Sequence, residues 1–86
     1  MFSIIYEPTV IEEDFPKIPK SSLAQILRAI GSRLATDPMA FGKPLRHSLH
    51  GYRSLRIGDY RVGYVVEGKS VIISHIELRR DAYKRW

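Results

Sequence analysis

Apolar and polar positions repeat with two different periods along this chain. Residues 2–6 form a short apolar run suited to a strand. Over residues 8–18, Val10, Ile11, Phe15 and Ile18 fall at helical spacing among Glu12, Glu13 and Asp14. Acids in an early turn suit the positive end of a helix. Pro16 lacks an N–H and should end or kink this helix near Asp14 or Phe15. A second helix is marked by Leu23, Ile26, Leu27, Ile30 and Leu34 on one face, a stripe that reads as core. Ser22-Leu23-Ala24-Gln25 has the form of a capping box at its start. Gly31 weakens its last turns and Asp37-Pro38 closes it. Residues 39–47, with Gly42 and Pro44, read as a loop.

Beyond that loop the period drops to two. Residues 52–57, 60–66 and 71–78 read as three strands, joined by turns at Gly58-Asp59 and Glu67-Gly68-Lys69. The expected architecture is α+β: an N-terminal strand and two helices packed on one face of a mostly antiparallel four-stranded sheet, a single domain over residues 1–86. If Gly58-Asp59 is a two-residue hairpin loop, Ile57 faces Tyr60, Arg56 faces Arg61, Leu55 faces Val62 and Ser54 faces Gly63. Leu55, Ile57, Tyr60, Val62, Tyr64 and Val66 then share a core face, and Tyr52, Ser54, Arg56, Arg61, Gly63 and Val65 the other. Two arginines directly opposite each other repel. Such a pair persists where acids lie close, with Asp59 and Glu77 as candidates, or where the site holds an anion.

The charge distribution favours an anion. The chain has a net charge of +5 over 86 residues, unevenly spread. Residues 1–42 carry four cations against five acids, and residues 43–86 carry ten against four. A basic half joined to a near-neutral half is the footprint of a polyanion binder, although a solvated basic surface reads the same way from charge alone. The stretch Arg79-Arg80-Asp81-Ala82-Tyr83-Lys84-Arg85-Trp86 interleaves aromatic rings with cations, as nucleic-acid binders do. There is no cysteine, hence no disulfide or thiolate metal site. No metal cluster, phosphate loop or nucleotide motif is visible, so no cofactor is implied. The apolar runs are too short to span a membrane and no signal-peptide pattern precedes them, so a cytoplasmic location without membrane partners is expected.

Two motifs carry a family resemblance. The stretch Leu49-His50-Gly51-Tyr52-Arg53-Ser54-Leu55-Arg56-Ile57-Gly58-Asp59-Tyr60-Arg61-Val62-Gly63-Tyr64 resembles the central hairpin of the RelE/ParE toxin superfamily. Arg79-Arg80-Asp81-Ala82-Tyr83 resembles that family's C-terminal His-Arg-Arg-Asp-Val-Tyr ending. The resemblance implies the toxin of a type II toxin–antitoxin system: a ribosome-dependent endoribonuclease that cleaves messenger RNA by 2′-OH attack on the adjacent phosphate. Carried over, Arg61 contacts the scissile phosphate and Arg79 stabilises its charge. Tyr83 stacks on a base and helps with the 2′-OH proton. Further basic candidates for phosphate contact are Arg56, Arg80, Arg53, Lys84 and Arg85, although parity turns Arg53 toward the core side or an edge. Where some relatives have lysines this chain has Tyr52 and Ser54, and Leu78 replaces the histidine before the arginine pair. His50 and His75, with His47 nearby, are candidate replacement proton carriers. Implied partners are a cognate antitoxin, messenger RNA and the ribosome, with operator DNA only indirectly through the antitoxin complex. Two other functions stay open at this point. One is a ParE-like inhibitor of DNA gyrase without nuclease activity; the other is an inactive homologue that only binds its antitoxin.

Overall fold

The helical side of the molecule is built from turns of changing width. In the computed structural model, which describes residues 1–46 and 51–80, the chain coils at Pro8, widens through Val10–Asp14 and tightens through Phe15–Lys17. The Phe15 N–H reaches back five residues to the Val10 carbonyl. Pro16 has no N–H with which to continue an ordinary ladder, so the run changes its turn type there instead of breaking. The main helix α1, Lys20–Ala29, starts two residues before the expected cap. Pro19 occupies the N-cap and its carbonyl accepts the Leu23 N–H at 2.9 Å. Ser22 therefore lies inside the first turn and makes no capping bond, so the capping-box reading is corrected. Around Gly31 the helix widens again over Ile30–Leu34 before turning out at Ala35.

The segment expected as a loop is partly ordered into short elements. A single helical turn, α2 (Pro38–Phe41), is capped by the Asp37 side chain, which accepts the Ala40 N–H at 3.2 Å. A two-residue strand, β2 (Lys43–Pro44), then pairs with the next strand. Among the described residues the sheet consequently has five strands where four were expected. These are β1 (Ser3–Tyr6), β2, β3 (Arg53–Ile57), β4 (Tyr60–Glu67) and β5 (Ser70–Leu78), in the order β1-β5-β4-β3-β2. Only the β1–β5 pair is parallel. The hairpin register is Arg53↔Tyr64, Ser54↔Gly63, Leu55↔Val62, Arg56↔Arg61 and Ile57↔Tyr60, as the two-residue loop requires. Gly58 and Gly68 both sit at φ 59°, a left-handed conformation that lets each two-residue turn reverse the chain.

The core lies between this sheet and the helices. Val10, Ile18, Ile26, Ile30 and Leu34 meet Leu55, Ile57, Val62, Tyr64, Val71, Ile73 and Ile76. Of the expected helix stripe, Ile26, Ile30 and Leu34 are fully buried, while Leu23 and Leu27 sit half-buried at its margin. One buried acid has a structural task. Among the described residues no strand continues beside β5 beyond Tyr6, and the Asp14 carboxylate accepts the Ile76 N–H at 3.1 Å in place of a neighbouring strand. Nearby, the Ser74 hydroxyl donates to Glu7 at 2.8 Å. These acids occupy a sheet edge that would otherwise leave buried polar groups without partners.

Candidate nucleic-acid interface

Side chains that pair across neighbouring strands share a face of the sheet. On the face turned away from the helices, one row runs Arg56–Arg61–Glu77, and the next runs Lys43–Ser54–Gly63–His75. Arg56 is exposed; Arg61 and Glu77 are half-buried. The arginine pair thus has an acid on its β5 side and open space on its β2 side, because β2 ends opposite Arg53 and Ser54. Glu77 stands next to Arg61 in the same row, and Arg56 is presented to solvent.

His75 reaches this face through a register shift. Gly63 pairs with His75, whereas Tyr64 pairs with Ile73, so Ser74 is an extra residue in β5. His75 is half-buried, with its ring centroid 6.1 Å from that of Tyr52. It stands one row away from Arg61, beside the side-chain-free Gly63.

Two depressions adjoin the arginine pair. One, of about 520 Å³, is lined by Asp59, Arg61, Leu78, Arg79 and Arg80. The other, of about 390 Å³, is lined by Phe41, Lys43, Pro44, Leu45, Ser54, Leu55, Arg56 and Arg61. Arg61 lines both, which sets the two depressions on either side of it as a cationic track. The Arg79 N–H donates to the Asp59 carbonyl at 2.9 Å, which ties the end of β5 to the hairpin turn and keeps Arg79 beside Arg61. Five cations, Lys43, Arg56, Arg61, Arg79 and Arg80, line the track against one acid, Asp59. A chain of phosphates fits such a surface better than a single compact anion does.

Arg53 lies apart from this constellation. It is on the core-side parity of β3, and its guanidinium donates to the Met39 carbonyl at 2.7 Å and the Gly42 carbonyl at 2.8 Å. Beside it, the buried Tyr64 hydroxyl donates to the Pro38 carbonyl at 2.6 Å. Burial pushes the Tyr64 hydroxyl above its usual pKa, and the adjacent Arg53 partly offsets this. Gly42 is required here because a Cβ on it would overlap the Tyr64 ring and hydroxyl. Together these contacts fasten residues 38–42 to the sheet, and Phe41 of that segment, followed by Lys43 and Pro44, walls the track. Sequence reading missed this fastening. The parity of Arg53 was its one visible sign; Gly42 looked like an ordinary loop glycine.

His47, His50, Tyr83, Lys84 and Arg85 lie outside the described residues. Among the described residues no group of three or more His, Cys, Asp or Glu could hold a metal ion, and no helix is long and apolar enough to cross a membrane.

Residues 4–83 match the model of a family described as the ParE toxin of type II toxin–antitoxin system, parDE. The chain belongs to the RelE/ParE toxin superfamily. Over 79 residues it is 34% identical to Toxin RelG of Mycobacterium tuberculosis (strain ATCC 25618 / H37Rv), covering 90% of this chain and 91% of RelG. Toxin RelE of the same organism is 36% identical over 73 residues, covering 83% of this chain and 75% of that toxin. The fold is similar to a chain in the crystal structure of the toxin–antitoxin complex RelBE2 from Mycobacterium tuberculosis. That likeness has a TM-score of 0.82 at 30% identity and covers 91% of this chain and 98% of that one. The α+β architecture expected from periodicity, and its RelE-like form implied by the resemblance, are therefore shared with that chain. Within the superfamily's hairpin motif, residues 51–64 are described here, and they carry the Arg56–Arg61 pair.

Proposed function

We propose that this toxin is an endoribonuclease that cleaves messenger RNA on the ribosome and is neutralised by a cognate antitoxin. The observation that carries the reading is the position of Arg61, shared by two adjoining cationic depressions. A single strand laid along the track has one phosphate at Arg61 and its neighbours near Arg56 and Arg79. Cleavage then proceeds by attack of a ribose 2′-oxygen on the adjacent phosphorus, with the bond to the 5′-oxygen breaking. The step needs positive charge on the phosphorane oxygens, an acceptor for the 2′-proton and a donor for the leaving oxygen. Arg61 and Arg79 supply the charge. Arginine stays protonated at neutral pH, so these two act electrostatically and not as acids.

The proton carriers on this reading are Tyr83 and a histidine, His50 or His75. His75 is the one of these within the described residues, on the outer face next to Gly63. The curated relatives are themselves named as toxins, and the structural relative is a toxin–antitoxin complex, which supports an antitoxin as the physiological partner.

Inducing the chain in cells and mapping the 5′ ends of translated messages tests the reading. Cuts within codons at the ribosomal A site are expected. Arg61→Ala is expected to lose those cuts by roughly ten- to a hundredfold, the equivalent of a lost charge-assisted contact of about 1.5–3 kcal/mol. Intact messages together with gyrase cleavage complexes would overturn it in favour of the gyrase reading.

A further inference from the structure

We infer that Phe41 is a base-stacking platform for the nucleotide at the end of the track remote from Arg79 and Arg80. This inference rests on the RNA reading of the same site. Phe41 ends the short helix α2 and is 49% exposed, although the other described phenylalanines, Phe2 and Phe15, are half-buried against the core. An exposed aromatic ring needs no explanation when it lies alone on a surface. This one lines a depression whose other walls include Lys43, Arg56 and Arg61.

The backbone that carries the ring is also held in place. A one-turn helix has no stability of its own. Here the turn is fixed by the Asp37 cap, by Tyr64 on the Pro38 carbonyl, and by Arg53 on the carbonyls of Met39 and Gly42 that flank Phe41. An exposed apolar ring on a fastened turn, beside cations spaced along a groove, matches a single-stranded nucleic acid. The phosphates meet the cations, and a base, having a π-face whatever its identity, lies on the ring. Lys43 and Arg56 complement the phosphates that flank such a base, which favours RNA over an apolar protein segment as the occupant.

The test uses full-length protein and two short single-stranded oligonucleotides, an RNA and its abasic analogue with the same number of phosphates, followed by fluorescence anisotropy. Phe41→Ala is expected to weaken binding of the RNA roughly tenfold and to leave binding of the abasic strand unchanged. Phe41→Trp is expected to restore it, with the same dependence on salt as wild type, because no phosphate contact changes. Equal effects of Phe41→Ala on both strands, or none on either, overturn the inference. So does an unaltered RNA affinity accompanied by weaker binding of the antitoxin, which would assign the ring to a protein contact. Arg61→Ala separates this inference from its premise. If Arg61→Ala weakens both strands while Phe41→Ala weakens neither, the platform fails and the phosphate track stands. If Arg61→Ala leaves both strands unaffected, the track itself fails.

Discussion

Arg53 and Arg56 lie three residues apart on one strand and face opposite sides of the sheet. Arg53 spends its guanidinium on two backbone carbonyls of the segment that walls the track. Arg56 extends from the solvent face beside Arg61 and lines the track itself. The hairpin thus carries structural polar groups on one face and solvent-facing cations on the other. The period-two alternation of side chains decides which arginine does which. Residue type and position in a family motif do not separate the two; the face does.

The largest way to break this division is to disturb the structural face at its tightest point. Gly42→Ala places a Cβ where the Tyr64 ring and hydroxyl already lie. Nothing at that point is the free end of a flexible chain, so ring or backbone must shift. Overpacking of this kind costs about 3 kcal/mol, and it also displaces the wall that presents Phe41 and Lys43. Thermal or urea unfolding of the variant should show that loss. An unfolding midpoint equal to wild type would mean that the ring has room to move and that the wall is not fastened as described.

The arrangement of this face was only partly legible in the sequence. Strand order within the hairpin followed from the two-residue turn, because Gly58-Asp59 admits one register and that register sets every opposite pair. The helix stripe was legible for the same reason: Ile26, Ile30 and Leu34 repeat at the helical period and are buried. What was not legible depends on contacts distant in the chain. Tyr64 bonds to a carbonyl 26 residues earlier, and Arg53 bonds to carbonyls 14 and 11 residues earlier. Local pattern carries no record of such pairings, so residues 39–47 read as loop although the last three residues of α2 and all of β2 fall there. The extra Ser74 in β5 was hidden likewise. Parity counted from either end of that strand gives a different face, and only the pairing to β4 shows where it changes. The candidate cations were easier to find, since a motif and a charge imbalance both pointed to the hairpin. Their union into one track required the fold, which brings the end of β5 against the hairpin turn.

A pair of single substitutions sharpens the comparison between the two arginines. Arg53→Ala leaves the Met39 and Gly42 carbonyls without their donor, and should destabilise the protein by about 2 kcal/mol. Arg56→Ala removes an exposed cation and should leave stability within about 0.5 kcal/mol of wild type. In RNA binding the order is different. Arg56→Ala should weaken affinity and reduce the slope of its logarithm against log salt by roughly one counterion. Arg53→Ala should leave that slope unchanged, because its guanidinium is held by the Met39 and Gly42 carbonyls on the opposite face. Unfolding curves and salt titrations on the two proteins check this. A reduced salt slope for Arg53→Ala with no loss of stability would reverse the assignment.

The smallest expected effect lies in the alkaline range. Burial raises the pKa of the Tyr64 hydroxyl above that of an exposed tyrosine, about 10. The folded chain therefore holds this proton more tightly than the unfolded chain does. Its contribution to stability is complete below the unfolded value and declines as pH rises through the raised folded value. Ionisation also removes the donor to the Pro38 carbonyl. Tyr6, raised by burial as well, adds a decline of the same sign, so wild type alone cannot isolate Tyr64. The informative quantity is the difference in melting temperature between wild type and Tyr64→Phe. It should be constant at neutral pH and shrink as pH rises above about 10. A difference that stays constant through that range would show that the Tyr64 hydroxyl titrates as an exposed one does. The bond to Pro38 would then be too weak to help hold the wall of the track.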